Sequence, residues 1–404
     1  VRALFVTEWF PPAWTAGGTV VSTWNLARAL VRAGVEVQVL ATDAHTGPAG
    51  QVPRERREAG MRIVTAGVVR PMGARAHRYG LAPGMPLDLW RASGNADVCI
   101  MQGLWTFPVA AASRICAVRG LPYVLSAKGS LEADALGQKP LKKSLYLRLV
   151  ASGVIRRAAA VHFASGQERD SSRVAIGGTK SFVAPNGFEE RPLLPAQGGE
   201  LRARLRLPEN SVLVGMAGRI HPRKGFDTIF HALARAAERV HLLIFGSDHE
   251  GNLPGILRLA AELGVGSRVH ALGALGPGEL DRTYASIDVL AAPSRSESFG
   301  NVVVEALLQG TPVMVSDGIP LAPYVAEHGL GAVVAACDPD AWASALNGWG
   351  AAPRRLDREA TAAGVGRDFG LDVMAGRWLE VLAPLAQSAM RAGEAAGTAG
   401  SGRA

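Results

Sequence analysis

Short apolar runs alternate with stretches of helical periodicity along most of the chain. In the first half "ALFVT", "VEVQVLAT", "DVCIMQG", "YVLSA", "AVHFAS" and "SFVAPNG" read as buried strands. In the second half "SVLVGMAGR", "VHLLIFGS", "RVHALGAL", "DVLAAPS", "PVMVSD" and "GAVVAA" read the same way. Runs of this length carry too few polar positions for a one-sided sheet. Separated by helical crossovers, they predict parallel sheets covered on both faces. Two such series predict an α/β chain of two doubly wound, Rossmann-like domains.

The series is interrupted by "EERPLLPAQGGELRARLRLPENS", rich in Pro, Gly and charge. The expected organisation is a first domain over 1–188, a linker over 189–208 and a second domain over 209–370. A last helix over 371–390 precedes a tail of small and polar residues, 391–404, which is expected to be disordered.

Composition narrows the class. Of the 404 residues 48% are hydrophobic and 19% charged, which suits a globular chain with a large core. Cys99, Cys116 and Cys337 are too far apart for a metal-ligand pattern or a disulfide framework, so a reducing compartment is expected. No run approaches the length of a membrane helix, and the start "VRALFVTEWFPP" lacks a signal-peptide pattern, so a cytoplasmic location is expected. The net charge of +8 is uneven: residues 1–188 carry 23 Lys and Arg against 11 Asp and Glu. A basic half points to an anionic partner.

Three segments follow strands, where parallel sheets bind ligands. In the first, Gly17–Gly18 precedes a helical pattern and allows close backbone approach, although such a pair is as readily a plain turn. In the second, "AGRIHPRKGFDTIFHAL", Arg219 sits at the strand end and Lys224 five residues later, before a helix, and two cations converging on a helix start suit a diphosphate. The competing reading is an exposed basic loop. In the third, "SESFGNVVVEALLQGTP", Glu297 lies in a loop and Glu305 within a helix apolar on nearly every side. A carboxylate there needs a partner: a polar ligand with paired hydroxyls, or an Arg of a neighbouring element.

These residues resemble a known family. "ESFGNVVVEALLQGTPV" is similar to the Glu–seven residues–Glu signature of retaining glycosyltransferases of the GT-B fold, in the glycogen-synthase-like and mannosyltransferase-like group. "GGTVVSTWNLARALVRAGVEVQVLAT", "VAPNGF", "GRIHPRKGFD" and "RVHALGALGPGELDRTYASIDVLAAPSRSESFG" resemble that family's other segments, in order, over about residues 3–385. The resemblance implies a nucleoside-diphosphate sugar donor of UDP or GDP type, bound mostly by the second domain. Arg219 and Lys224 would hold the diphosphate, and Glu305 the ribose. Glu297 would contact the sugar. Backbone N–H groups of Phe299, Gly300, Asn301 and Val302 would meet sugar and phosphate. The Gly17–Gly18 loop would close from the first domain, the base would lie near residues 271–275, and the helix around Trp378 would pack back on the first domain. The implied chemistry is transfer with retention to a glycan or lipid-linked acceptor, without metal or other cofactor; Arg219, Lys224 and Glu297 are the candidate catalytic residues.

Where the family often has His-Gly, this chain has Lys128–Gly129. That resembles a subset associated with bacterial surface polysaccharide and lipopolysaccharide assembly, and makes Lys128 a candidate substrate contact. Ser165 and Glu168 read as a helix capping box. "QKPLKKSLYLRLVASGVIRRAAA" sets Lys139, Lys142, Lys143, Arg148, Arg156 and Arg157 among leucines, a pattern that fits a core-facing helix or an anionic membrane surface. The histidines, among them His241 and His270, show no zinc spacing, and no metal site is assigned. No nucleic-acid partner is expected. The rival readings are a GT-B epimerase or phosphorylase, a polyanion-binding protein and an inactive assembly partner.

Overall fold

The computed structural model describes residues 1–44, 46, 51–69, 79–132, 144–248, 250–351 and 356–401. The chain forms two compact units, Val1–Gly187 with Leu371–Ala404, and Phe188–Gly370.

The first unit is built on eight strands: β1 Arg2–Val6, β2 Glu36–Thr42, β3 Glu55–Glu58, β4 Met61–Ala66, β5 Val98–Gln102, β6 Tyr123–Ser126, β7 Ala160–Phe163 and β8 Ser181–Val183. Their order in the sheet is β3-β4-β2-β1-β5-β6-β7-β8. All pairings are parallel except β3 with β4. The order reverses between β1 and β5, which lie side by side with Val6 opposite Met101. One face carries Leu4, Val6, Cys99 and Met101 with the helices Met85–Ser93 and Phe107–Arg119. The other carries Ala3, Phe5, Val98 and Ile100 with Leu26 and Leu30 of the helix Gly18–Arg32 and with Met374, Trp378 and Leu382 of the last helix, Leu371–Ser401.

Sequence reasoning omits β3 and β4. β3 is four charged residues, Glu55–Glu58, on the sheet edge. Backbone pairing holds it, with no buried face to betray it. β4 is apolar apart from Arg62 and Thr65; Arg62 reaches Glu55 at 2.7 Å. β8, expected to be buried, is a partly exposed edge.

The second unit has six parallel strands: β9 Val212–Ala217, β10 Val240–Phe245, β11 Val269–Gly273, β12 Val289–Ala292, β13 Val313–Ser316 and β14 Gly331–Val334. Each matches an apolar run read from the sequence. The order β11-β10-β9-β12-β13-β14 is the doubly wound order, with its reversal between β9 and β12. Loops leaving the carboxyl ends of those two strands part there, so that is where a crevice opens.

Residues 189–208 differ from a free linker. They hold a helix, Gly198–Arg204, and belong to the second unit. Arg202 donates to Asp288 and Arg191 to Asp281, each at 2.5 Å. Charges that look solvated along the sequence are ion-paired in three dimensions. The last helix likewise runs to Ser401, beyond residue 390, where a tail was expected.

Candidate functional site

The reversal between β9 and β12 brings two loops together. After β9 the chain passes Gly218, Arg219 and the short turn Pro222–Lys224, then enters the helix Phe226–Arg235. After β12 it passes Ser294 and Glu297, then enters the helix Asn301–Leu308. The loops are laced to each other. Arg295 N–H donates to the Arg223 carbonyl at 3.0 Å, and Arg223 Nη2 donates to Ser296 Oγ at 3.1 Å. Gly225, at φ 75°, lies so close to the other loop that a Cβ there would be 2.2 Å from the Pro293 carbonyl oxygen.

Lys224 and Glu297 meet across this seam. Lys224 Nζ donates to Glu297 Oε1 at 2.6 Å, and Ser294 Oγ donates to the same oxygen at 2.8 Å. Burial by itself would push the Glu297 carboxyl up. The charge and hydrogen bond of Lys224, the Ser294 hydroxyl and the Arg223 charge together hold it below the usual glutamate value. A Cβ on Gly218 would stand 3.4 Å from both Lys224 Nζ and Val302 Cγ1. The glycine therefore leaves a cradle between the ammonium and the first turn of the Asn301–Leu308 helix. First-turn N–H groups have no intrahelical acceptor and carry the positive end of the helix dipole. Ammonium, helix start and glycine cradle make an arrangement suited to a phosphate oxygen.

The helix Asn301–Leu308 resolves the puzzle of its carboxylate. Val303, Val304, Ala306, Leu307 and Leu308 are buried, whereas Asn301, Val302 and Glu305 are partly exposed. Those three positions share one face at helical spacing. Glu305 is thus on the single open stripe of an otherwise buried helix, one turn in from the cradle. Its Oε2 accepts from the buried Tyr284 hydroxyl at 2.9 Å. Burial pushes the Glu305 carboxyl up, opposed by that hydrogen bond and by the charge of Arg191. Arg191 of a neighbouring segment acts on it through its charge while bonding to Asp281, and the open stripe leads from Glu305 to the helix start.

Arg219 is exposed, and its nearest carboxylate is Glu250 at 3.8 Å. Phe299 is buried, with its ring 5.7 Å from Phe369 and 6.4 Å from Phe188, so its side chain packs the loop from within. Gly300 is the helix N-cap, at φ 102°. The second-unit candidates Arg219, Lys224, Glu297, Phe299, Gly300, Asn301, Val302 and Glu305 therefore all lie on the two loops and one helix at the reversal.

The remaining candidates belong to the first unit. Gly17, at φ 83°, caps the helix that begins at Gly18. Lys128, itself at φ 52°, donates to Ser22 Oγ of that helix at 3.0 Å. Burial brings its ammonium down to about 8, with Glu168 pulling the other way. Glu168 does more than cap a helix. Ser165 Oγ accepts from Glu168 N–H at 3.0 Å as expected, but the Glu168 carboxylate accepts from Gly129 N–H at 2.6 Å and Ala164 N–H at 2.7 Å. It ties the Lys128–Gly129 turn to β7. Lys139, Lys142 and Lys143 lie outside the described residues; beyond them Leu145 and Leu149 are exposed beside Arg148.

Sequence reasoning missed Ser294, Tyr284 and Arg191. Ser294 stands three residues before Glu297, a spacing that could have flagged it. Tyr284 and Arg191 reach Glu305 only through the fold. The reading of histidines as scattered is corrected at one place: His241 and His270, on adjacent strands, are 3.2 Å apart. The expectation that the chain has no Asp-any-Asp pattern is also corrected, because Asp338–Pro339–Asp340 spells it. Asp338 Oδ1 accepts from the N–H groups of Asp340 and Ala341 at 3.0 Å, starting the helix Pro339–Ala351.

Comparison with known proteins places the chain in a family. Residues 199–363 match the family described as Glycosyl transferases group 1, and residues 17–187 match the Glycosyl transferase 4-like domain. A D-inositol 3-phosphate glycosyltransferase of Segniliparus rotundus is 30% identical over 88% of this chain and 82% of its own. Among solved structures, sucrose-phosphate synthase from Thermosynechococcus elongatus superposes with a TM-score of 0.76 at 19% identity, covering 96% of this chain and 99% of that one. Anabaena HepE in complex with UDP-glucose gives 0.73 at 21% identity, covering 95% and 99%. The fold is that of the GT-B glycosyltransferases, two Rossmann-like α/β domains. With a 30% identical relative matched over most of both chains and family matches in both halves, this protein belongs to the glycosyl transferases group 1 family.

Proposed function

We propose that this glycosyltransferase moves a sugar from a nucleoside diphosphate of UDP type to a hydroxyl of a glycan or lipid-linked acceptor, with retention of configuration. The Lys224–Glu297 pair at the head of the Asn301–Leu308 helix carries the reading. Breaking a glycosyl phosphate bond places charge on the departing diphosphate. Pre-set positive groups that need no reorganisation lower that barrier most. Lys224, Arg219 and the helix start supply such groups. Glu297 holds the Lys224 ammonium in place and offers its second oxygen to a sugar hydroxyl. Glu305, open to the same side, accepts from the ribose hydroxyls. Backbone N–H groups of Phe299 to Val302 serve sugar and phosphate. Gly17, Gly18 and Lys128 are proposed as donor contacts supplied by the first unit.

HepE was solved with UDP-glucose, which supports a UDP-type donor. The name of the Segniliparus relative favours a second reading, in which the acceptor is a phosphorylated polyol. A role in surface polysaccharide assembly rests on the Lys128–Gly129 turn. Work at an anionic membrane surface rests on Leu145, Leu149 and Arg148, which are exposed together; no helix among the described residues is long and apolar enough to cross a membrane.

Thermal shift against a panel of nucleoside diphosphates tests the donor. UDP should raise the melting temperature. Product analysis by NMR with a UDP-α-sugar should then give an α-linkage that forms only when acceptor is present. Sugar epimerisation without acceptor, or phosphorolysis of a glycoside, would replace the proposal with one of its rivals.

A further inference from the structure

In the first unit the strand order also reverses, between β1 and β5, and a second set of groups gathers there. Glu8 follows β1 and Trp105, Thr106 and Phe107 follow β5. Tyr79 lies 6.3 Å, ring to ring, from Phe107 and 6.1 Å from Tyr146, and Tyr146 lies 5.4 Å from Trp105. The four rings form one connected cluster, and all keep part of their surface open: Tyr79 is exposed and the other three are half-buried. Donor chemistry in the second unit makes no use of it.

Two polar atoms beside the rings lack partners among the described residues. Glu8 is 3% exposed, and its Oε1 accepts no hydrogen bond. A Cβ on Gly80 would fall 3.0 Å from that oxygen, so the carboxyl lies against the backbone next to Tyr79. Thr106 Oγ1 is likewise buried and unpartnered, although Thr106 is the N-cap of the helix Phe107–Arg119 and its hydroxyl would ordinarily bond to the first turn. Buried polar atoms in a native fold are nearly always satisfied, so two orphans beside one cluster call for a missing partner. Burial pushes the Glu8 carboxyl up to about 8, so near neutrality it carries a proton and can donate as well as accept.

We propose that the rings of Tyr79, Trp105, Phe107 and Tyr146, with the Glu8 carboxyl and the Thr106 hydroxyl, form an acceptor subsite for an uncharged glycosyl unit rather than a phosphorylated one. The proposal rests on the glycosyltransferase reading and names the acceptor class. A sugar has an apolar face of C–H groups that lies on aromatic rings and an edge of hydroxyls that needs donors and acceptors. The cluster offers both. Neither the Glu8 carboxyl nor the Thr106 hydroxyl carries the positive charge that a phosphate would need. Arg114, whose charge reaches Tyr146, already donates to the Ala110 carbonyl at 3.4 Å. The location fits the rule that open α/β sheets bind ligands at the reversal of strand order.

The test uses the full chain and octyl glycosides of glucose, galactose, mannose and N-acetylglucosamine, each against its sugar 1-phosphate, with myo-inositol phosphate and octanol as comparators. Tryptophan fluorescence titration without donor reads the subsite alone, and calorimetry with UDP reads the donor site alone. At least one octyl glycoside should bind ten times more tightly than its 1-phosphate and than octanol. Trp105→Ala and Glu8→Leu should each weaken it at least tenfold while UDP affinity stays unchanged, and Glu8→Gln, which keeps a donor and an acceptor, should weaken it less. Thr106→Val serves the same purpose should Glu8→Leu not fold. Tighter binding of the phosphates, binding no better than octanol, or indifference to the substitutions would overturn the subsite. Failure to bind UDP would overturn the donor assignment and leave the fluorescence result standing by itself.

Discussion

Tyr284 and Glu305 form a part-buried donor–acceptor pair, phenol to carboxylate, at 2.9 Å. Tyr284 lies on the helix Pro277–Ser286 and is fully buried. It fixes one oxygen of a carboxylate on a mostly apolar helix, and the proposed ribose contact falls to the other oxygen. Tyr284→Phe should lower stability by about 1–3 kcal/mol, the cost of an orphaned buried acceptor. Glu305→Gln keeps the shape and should weaken UDP binding at least tenfold. Calorimetry with UDP alongside urea unfolding separates the two effects. Normal UDP affinity in Glu305→Gln would remove the ribose assignment.

Arg219 offers a cleaner probe, because it is exposed and the Glu250 carboxylate beside it is 3.8 Å away. Surface substitutions of this kind change stability by within about 0.5 kcal/mol. Arg219→Ala should therefore melt like the parent yet lose more than tenfold in turnover, roughly 1.4 kcal/mol of transition-state stabilisation. Lys224→Ala should lose at least as much. Near-normal rates in both would end the diphosphate assignment.

The Lys224–Glu297 pair sets a pH dependence. Glu297 titrates below the ordinary glutamate value in the folded chain. Its pairing thus contributes stability that is present above the unfolded-state pKa and is lost as pH falls through the lower folded one. Lys224→Met removes the cation and leaves burial to push the carboxyl up. The variant should lose more stability at pH 7 than at pH 4, measured by urea unfolding at each pH. Equal losses would mean that the pair is not formed in solution.

Glu8 has the opposite sign. Its folded pKa is raised to about 8, so between the ordinary glutamate value and that point the folded chain holds a proton the unfolded chain has released. Stability from this group falls as pH rises through that window. Glu8→Gln should flatten the slope between pH 5 and pH 8; an unchanged slope would show that the carboxyl is solvated.

Gly225 places the Lys224 turn against Pro293 at φ 75°. Gly225→Ala should cost about 1–3 kcal/mol through left-handed backbone strain, with more from the contact. Donor affinity should fall along with the melting temperature, because the two loops can no longer close on each other. A variant that melts earlier but binds UDP normally would show that the cradle does not depend on this approach.

The fold was legible because its central strands are buried on both faces. All six strands of the second unit announce themselves as largely apolar runs, and position alone could put Arg219 at a strand end, Lys224 and Glu297 in the loops that follow strands, and Glu305 in the helix beyond. β3 was not legible: Glu55–Glu58 is held by backbone pairing on an edge and has no buried face to leave a pattern. Nor was the partner of Glu305, since Tyr284 is twenty-one residues away and only helix packing brings it near. Glu8 and Thr106 are nearly a hundred residues apart, and the parallel pairing of β1 with β5 is what brings them to one end of the sheet. Periodicity and apolar runs are local properties, so the sequence by itself determined the strands other than β3 and β4, the two-domain plan and the candidate residues. The lacing of the loops, the Lys224–Glu297 pair and the open stripe of Glu305 depend on distances between segments remote in the chain, and those only the tertiary structure decided.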